Sequence, residues 1–114
     1  MPTAFDWLNH YPAMVTVCDT EGTIIAMNRM AAEAFDKYGG ERLIGTSLFA
    51  CHPEPTNAII RMLLKEQRAN SYFTIKNGVR KLVHQAPWYR QGTFAGLVET
   101  VTVLPGEMTT KERP

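Results

Sequence analysis

The sequence predicts an α+β fold: a five-stranded antiparallel sheet with helices packed on one face. Three observations carry that expectation. Two short β-branched runs near the N-terminus flank an Asp–Gly turn. A group of helical segments follows. Three further runs of strand character, joined by Asn77-Gly78 and by a turn around Gly92, complete the pattern.

At 114 residues the chain has room for one domain with a modest core. Hydrophobic residues at 45% and charged residues at 20% give ordinary globular composition, which argues against disorder. The formal net charge is +1 and no basic stripe appears, so direct nucleic-acid binding is not expected. No apolar run approaches the ~20 residues that span a bilayer, and the first residues lack the pattern of a secretory signal. Cys18 and Cys51 are too few for a disulfide scaffold and have no CxxC spacing. Unpaired thiols fit a reducing, cytoplasmic location.

The elements follow in order. Phe5, Trp7, Leu8 and Tyr11 have roughly helical spacing, so residues 1–12 form an N-terminal helical segment that ends before Pro12. Residues 13–19 read as a strand, Asp19 to Gly22 as a turn and residues 23–27 as a second strand. Asn28 can cap a helix, and the spacing of Met30, Ala31, Ala34 and Phe35 predicts that helix over residues 29–38. Gly39 and Gly40 stop it, and residues 41–44 suit one more short turn. Pro53 and Pro55 belong in the first turn of the longest helix, which is expected to end near Ala69 or Asn70.

Residues 71–76, 79–89 and 94–104 are the last three strands, with Pro87 marking an edge or a bulge. The domain proper is expected over residues 13–104, and residues 105–114 form a polar tail. The first two strands must join the same sheet, or their apolar faces would stay wet.

The stretch Val17-Cys18-Asp19-Thr20-Glu21-Gly22-Thr23-Ile24-Ile25-Ala26-Met27-Asn28 and the Ala-rich helix after it resemble the start of a PAS domain. Leu43-Ile44-Gly45-Thr46-Ser47-Leu48 resembles that family's Ile–Gly segment, and Pro87 with the Gly92 turn resembles its last hairpin. The resemblance spans about residues 7–104 and implies the PAS fold. A narrower one begins at Cys51-His52-Pro53, with Val83-His84 beside it, and is to bacterial PAS domains that accompany hemerythrin-like domains. The sequence departs from the family at Val101-Thr102-Val103-Leu104-Pro105, where many members carry Asp-Ile-Thr. The usual exit into a signalling linker is therefore in doubt, and the chain is either an excised sensor domain or a protein that acts through a partner.

The family places a ligand between the sheet's inner face and the helices. The resemblance then points to Phe35, Leu48, Met62, Leu63 and Phe73, with Met14 and Ile44, as lining residues. Leu82, His84, Trp88 and Val98 complete the set, on the reading that Leu82, His84, Ala86 and Trp88 face inward. All of these side chains are equally readable as plain core.

His52 stands where the long helix opens, and a helix N-terminus favours the neutral imidazole that binds iron. Heme, with His52 as axial ligand, is therefore one candidate cofactor, and a helix-capping histidine is the other reading. A flavin photoadduct is disfavoured because the Asn-Cys-Arg motif is absent. His84 would bond a ligand or a neighbouring backbone group. His10, His52 and His84 are too far apart to suggest a metal cage, and no enzyme motif is present.

The resemblance implies a sensory and signal-transduction module that relays its ligand state to an effector such as a histidine kinase, transcription regulator or cyclic-nucleotide enzyme. It further implies homodimerisation through the N-terminal apolar segment of Trp7, Leu8 and Tyr11, with folding of that segment back onto its own sheet as the other reading. A ligand-free dimerisation module is the alternative, and a small enzyme the outside one.

Overall fold

The structure is a computed structural model that describes residues 5–50 and 52–114. Five strands form one antiparallel sheet: β1 (Met14–Cys18), β2 (Ile24–Met27), β3 (Asn70–Lys76), β4 (Val79–Arg90) and β5 (Thr93–Leu104). Their order across the sheet is β2-β1-β5-β4-β3. The first hairpin thus joins the last three strands through β1 and β5, where Thr16 stands opposite Glu99 and Cys18 opposite Leu97. The chain between β2 and β3 carries α1 (Arg29–Ala34), α2 (Glu54–Glu66) and three short 3-10 turns, and covers one face.

Local chemistry explains the corners. Asp19 Oδ1 accepts from the backbone N–H groups of Glu21 and Thr23, both at 2.9 Å, which closes the first turn. Gly22 sits in that turn at φ 83°, and a Cβ there would strike the Phe49 ring. The Asn77-Gly78 and Gln91-Gly92 pairs all have positive φ, as tight hairpins between right-twisted strands require.

Asn28 ties the N-terminal half together. Its Oδ1 accepts from Ala31 N, capping α1, and from Val15 N on β1. Its Nδ2 donates to the carbonyls of Leu8 and Ala13. The segment 45–48 lies along the free edge of β2, with bonds from Gly45 N to Ile24 O and from Ile24 N to Thr46 O. This covers an edge that would otherwise be open to strand addition.

Several expected boundaries move. Of the N-terminal segment, only Leu8–His10 is helical among the described residues, as a 3-10 turn. The helix expected over 29–38 stops at Ala34 and resumes as a 3-10 turn at Asp36–Tyr38. α2 stops at Glu66, because Gln67 turns left-handed at φ 54°. Pro87 falls where β4 has run past the start of β3, so no residue of β3 pairs with it, and the register shift comes directly after it at Trp88/Tyr89. Cys51 lies outside the described residues.

The core is small. Cys18, Ile60, Leu63 and Leu97 form a buried cluster between α2 and the sheet, with Leu48, Phe49, Met62 and Leu64 packed against it.

Candidate functional site

The face of the sheet under the helices is set by register. Met14, Thr16 and Cys18 of β1 stand opposite Val101, Glu99 and Leu97 of β5, which in turn stand opposite Val83, Gln85 and Pro87 of β4. Two adjoining cavities lie between this face and the helical layer. The first, about 260 Å³, is walled by Cys18, Leu48, Ile60 and Leu97, with Thr16, Gln85 and Glu99 on the sheet and Tyr72 and Thr56 at its sides. The second, about 240 Å³, is walled by Ile24, Met27, Phe35, Tyr38 and Leu43. Thr16, Leu48, His52 and Glu99 border both and form the junction. Partly enclosed, mostly apolar spaces with a few convergent polar groups are the usual form of small-molecule sites.

The junction is held in place by hydrogen bonds. Asn70 Nδ2 donates to Gln85 Oε1 at 3.0 Å, which turns the Gln85 amide nitrogen toward Glu99. Gln85 Nε2 then donates to Glu99 Oε2 at 2.8 Å. On the helical side, His52 Nδ1 lies 2.8 Å from the Leu48 carbonyl oxygen. A carbonyl only accepts, so Nδ1 carries the proton, and in the neutral ring Nε2 is left as an acceptor. Asn57, itself buried, donates to the carbonyls of Phe49 and His52 and pins this segment to the start of α2.

Burial pushes the Cys18 thiol above its usual range. A backbone hydrogen bond at Leu97 opposes that shift, and the charges of Asp19 and Glu99 add to it. Burial and then the Glu99 charge raise the Tyr72 phenol in the same way. Both groups therefore stay protonated at neutral pH and stand as donors beside the carboxylate.

Of the residues expected in the site, Phe35, Leu48 and His52 line the cavities. Leu63 lies deeper, 1% exposed in the core cluster, and Met62 packs against that cluster. Met14 shares the inner face, while Ile44 is exposed.

His84, Leu82, Phe73, Trp88 and Val98 require correction, because register puts them on the opposite face of the sheet. His84 stands between Ser71 and Thr100, bonds Ser71 Oγ and is exposed. Leu82 faces out with Phe73, and Val98 with Val17 and Ala86. Trp88 crosses β5 at Gly96 and donates from Nε1 to the Cys18 carbonyl at 3.0 Å. The parity of β4 misleads because its larger apolar residues, Leu82 and Trp88, occupy the uncovered face, while the covered one holds Val83, Gln85 and Pro87.

Thr16, Gln85 and Glu99 were not anticipated. A readable signal existed in β5, where Glu99 shares parity with Leu97 and Val101. A carboxylate alternating with apolar residues in an interior strand is out of place unless it has work to do.

The residues around His52 do not fit a heme. The free ring nitrogen is suitable as an axial ligand. The space beside it, however, is divided at Leu48 and Thr16, and it puts a carboxylate and an amide where a porphyrin needs an apolar face. Among the described residues, no three His, Cys, Asp or Glu side chains gather as metal ligands, and no helix is long and apolar enough to cross a membrane.

The comparisons with known proteins agree with this architecture. The PAS-fold family model matches residues 8–70, more than half of the chain, and the chain belongs to that family. No curated protein matches. Three solved structures show the breadth of the likeness. VqmA of Vibrio cholerae, in a structure bound to DPO, superposes with a TM-score of 0.68 at 16% identity, over 85% of this chain and 54% of VqmA, so the chain spans about half of that protein. A C-terminal domain from Streptococcus mutans superposes at 0.67 and 21% identity, over 85% of this chain and 79% of the other. A sensory box sensor histidine kinase from Vibrio cholerae superposes at 0.63 and 14% identity, over 87% of each chain. At these identities the likeness concerns the fold. PAS domains are in general sensory modules of kinases and receptors, and not catalysts.

Proposed function

We propose that this chain is a sensory PAS module that holds a small ligand in the paired cavities and passes the occupied state to an effector. One observation carries this reading: the Asn70–Gln85–Glu99 chain of hydrogen bonds ends at the junction of two cavities, opposite a histidine fixed by its own backbone bond. A merely structural core gains nothing from a buried amide aimed at a carboxylate, since burying polar groups costs free energy. Filling the cavities would favour one of two packings of helices on sheet, which is how a ligand shifts a population. A histidine kinase, a transcription regulator or a cyclic-nucleotide enzyme is the kind of effector that suits such a module. Its place would be the cytoplasm, and direct contact with nucleic acid or membrane is not expected of it.

Native mass spectrometry of the purified protein, with a visible spectrum, tests this reading. A co-purifying small molecule, lost in the bulky variant Thr16→Trp, supports it. A chain that carries no adduct and binds nothing from a metabolite library refutes it. With hemin we expect no Soret shift that depends on His52.

A second reading, homodimerisation, is favoured by a separate observation. Phe73 and Ile75, on the uncovered face, are 62% and 69% exposed, and Phe5, Trp7 and Tyr11 are exposed at the N-terminus. The two readings are compatible, because the cavities lie on the other side of the sheet.

A further inference from the structure

We infer that the ligand of the paired cavities is a small organic cation: an ammonium or amidinium head on an apolar, ring-sized body. The inference rests on the sensory reading above and narrows it to a chemical class.

The argument is a count of donors and acceptors at the junction. Glu99 borders both cavities and has one oxygen, Oε2, engaged by Gln85. Its carboxylate offers further lone pairs, and among the described residues it forms no ion pair, since the salt bridges join Arg61 to Glu54 and Arg68 to Glu66. His52 also borders both cavities, and the tautomer that donates from Nδ1 to Leu48 leaves Nε2 as an acceptor. Two acceptors, one of them anionic, thus border the same junction, and the neighbouring donors, the Thr16 and Tyr72 hydroxyls and the Cys18 thiol, are uncharged and leave the Glu99 charge without a counterion. A ligand carboxylate or phosphate would meet Glu99 with like charge in a partly enclosed site, where water screens the repulsion only in part. An N–H-rich cation would meet both acceptors at once, with the stronger, charge-assisted bond to Glu99.

The second cavity supplies the other half of the ligand. Ile24, Met27, Phe35, Tyr38 and Leu43 make it apolar with two aromatic rings, and its about 240 Å³ suits a single ring with a short arm. Aromatic side chains also tolerate a nearby cation. The Gln85 amide matters because it is oriented from behind by Asn70. It holds Glu99 at the junction before a ligand arrives, which lowers the cost of binding.

The test uses the whole chain and three probes of similar shape: 2-phenylethylamine, 2-phenylethanol and 3-phenylpropionate. Binding is followed by chemical-shift perturbation on ¹⁵N-labelled protein, with Kd values from titration. We expect the amine to bind with the largest shifts at Thr16, His52 and Glu99, and the acid to bind at least about tenfold more weakly. Glu99→Gln keeps shape and hydrogen bonding but removes charge, and should weaken the amine by about tenfold while leaving the alcohol unchanged. His84→Ala, on the far face, should leave all three unchanged.

Equal or tighter binding of the acid overturns the inference, as does an amine affinity unaffected by Glu99→Gln. Binding of none of the three probes by the folded wild-type chain overturns it too. A neutral or acidic molecule found in the purified protein sinks this inference and spares the sensory reading. Absence of any ligand sinks both.

Discussion

Asn28 shows how much one side chain can organise. It is 4% exposed, and its amide meets two backbone N–H groups and two carbonyls, so all its bonding capacity is used inside the protein. Removing it strands the Val15 and Ala31 N–H groups and the Ala13 carbonyl and uncaps α1. Asn28→Ala should cost about 2–4 kcal/mol, read as a lower urea midpoint with an unchanged m-value.

Cys18 offers a second residue-scale prediction. Its raised thiol binds its proton more tightly folded than unfolded. That contribution to stability is complete below the free-thiol range of about 8.5 and is lost as pH climbs through the folded value. In a Cys51→Ser background, Cys18 should resist thiol reagents at pH 8 until the protein unfolds, and the urea midpoint should fall above about pH 9. A Cys18→Ala partner should lack that alkaline decline.

At the scale of elements, α2 and the hairpins determine the tolerance to change. α2 ends because Gln67 takes a left-handed conformation, which a side chain with a Cβ adopts only with strain. Gln67→Gly should therefore raise stability by up to about 1 kcal/mol, visible as a higher melting temperature. The reverse holds at Gly96, where β5 passes under the Trp88 indole. It has φ 138°, and a Cβ there would run into the Cys18 carbonyl. Gly96→Ala should be poorly soluble or melt far lower, because strain and overlap act together.

Elements were the most legible part of the sequence. Asp19 to Gly22, the Asn28 cap on Ala31, Asn77-Gly78 and Pro55 each act through a bond or dihedral confined to a few residues, and each lies where the sequence puts it, while Pro53 stands one place ahead of the expected first turn, as the N-cap of α2. The candidate site was less legible. It depends on which parity of β4 and β5 faces the helices, and that choice is made by the pairing of β1 with β5, strands at opposite ends of the domain in sequence. With apolar residues on both parities, periodicity alone could not decide it, and His84 was favoured over Gln85. Phe35, Leu48 and His52, which do line the cavities, come from the helical side, where no parity needs choosing.

For the whole molecule, the sheet separates two surfaces with different uses. The covered face holds the cavities, while the other keeps Phe73 and Ile75 in water. If that outer surface joins two copies, the double variant Phe73→Glu, Ile75→Glu should shift the species seen by analytical ultracentrifugation from dimer to monomer. Its melting temperature should hardly change, since both side chains are already wet. A wild-type chain that is monomeric at high concentration removes this second reading and leaves the cavities untouched.

The Trp88 bond to Cys18 gives the molecule a built-in optical gauge. The indole lies on one side of the sheet, and the residue whose carbonyl it holds walls a cavity on the other. With Trp7→Phe, Trp88 is the sole indole in the chain. Its emission colour depends on how firmly that N–H is held, so an arriving guest announces itself across the sheet as a change of light, with no label attached.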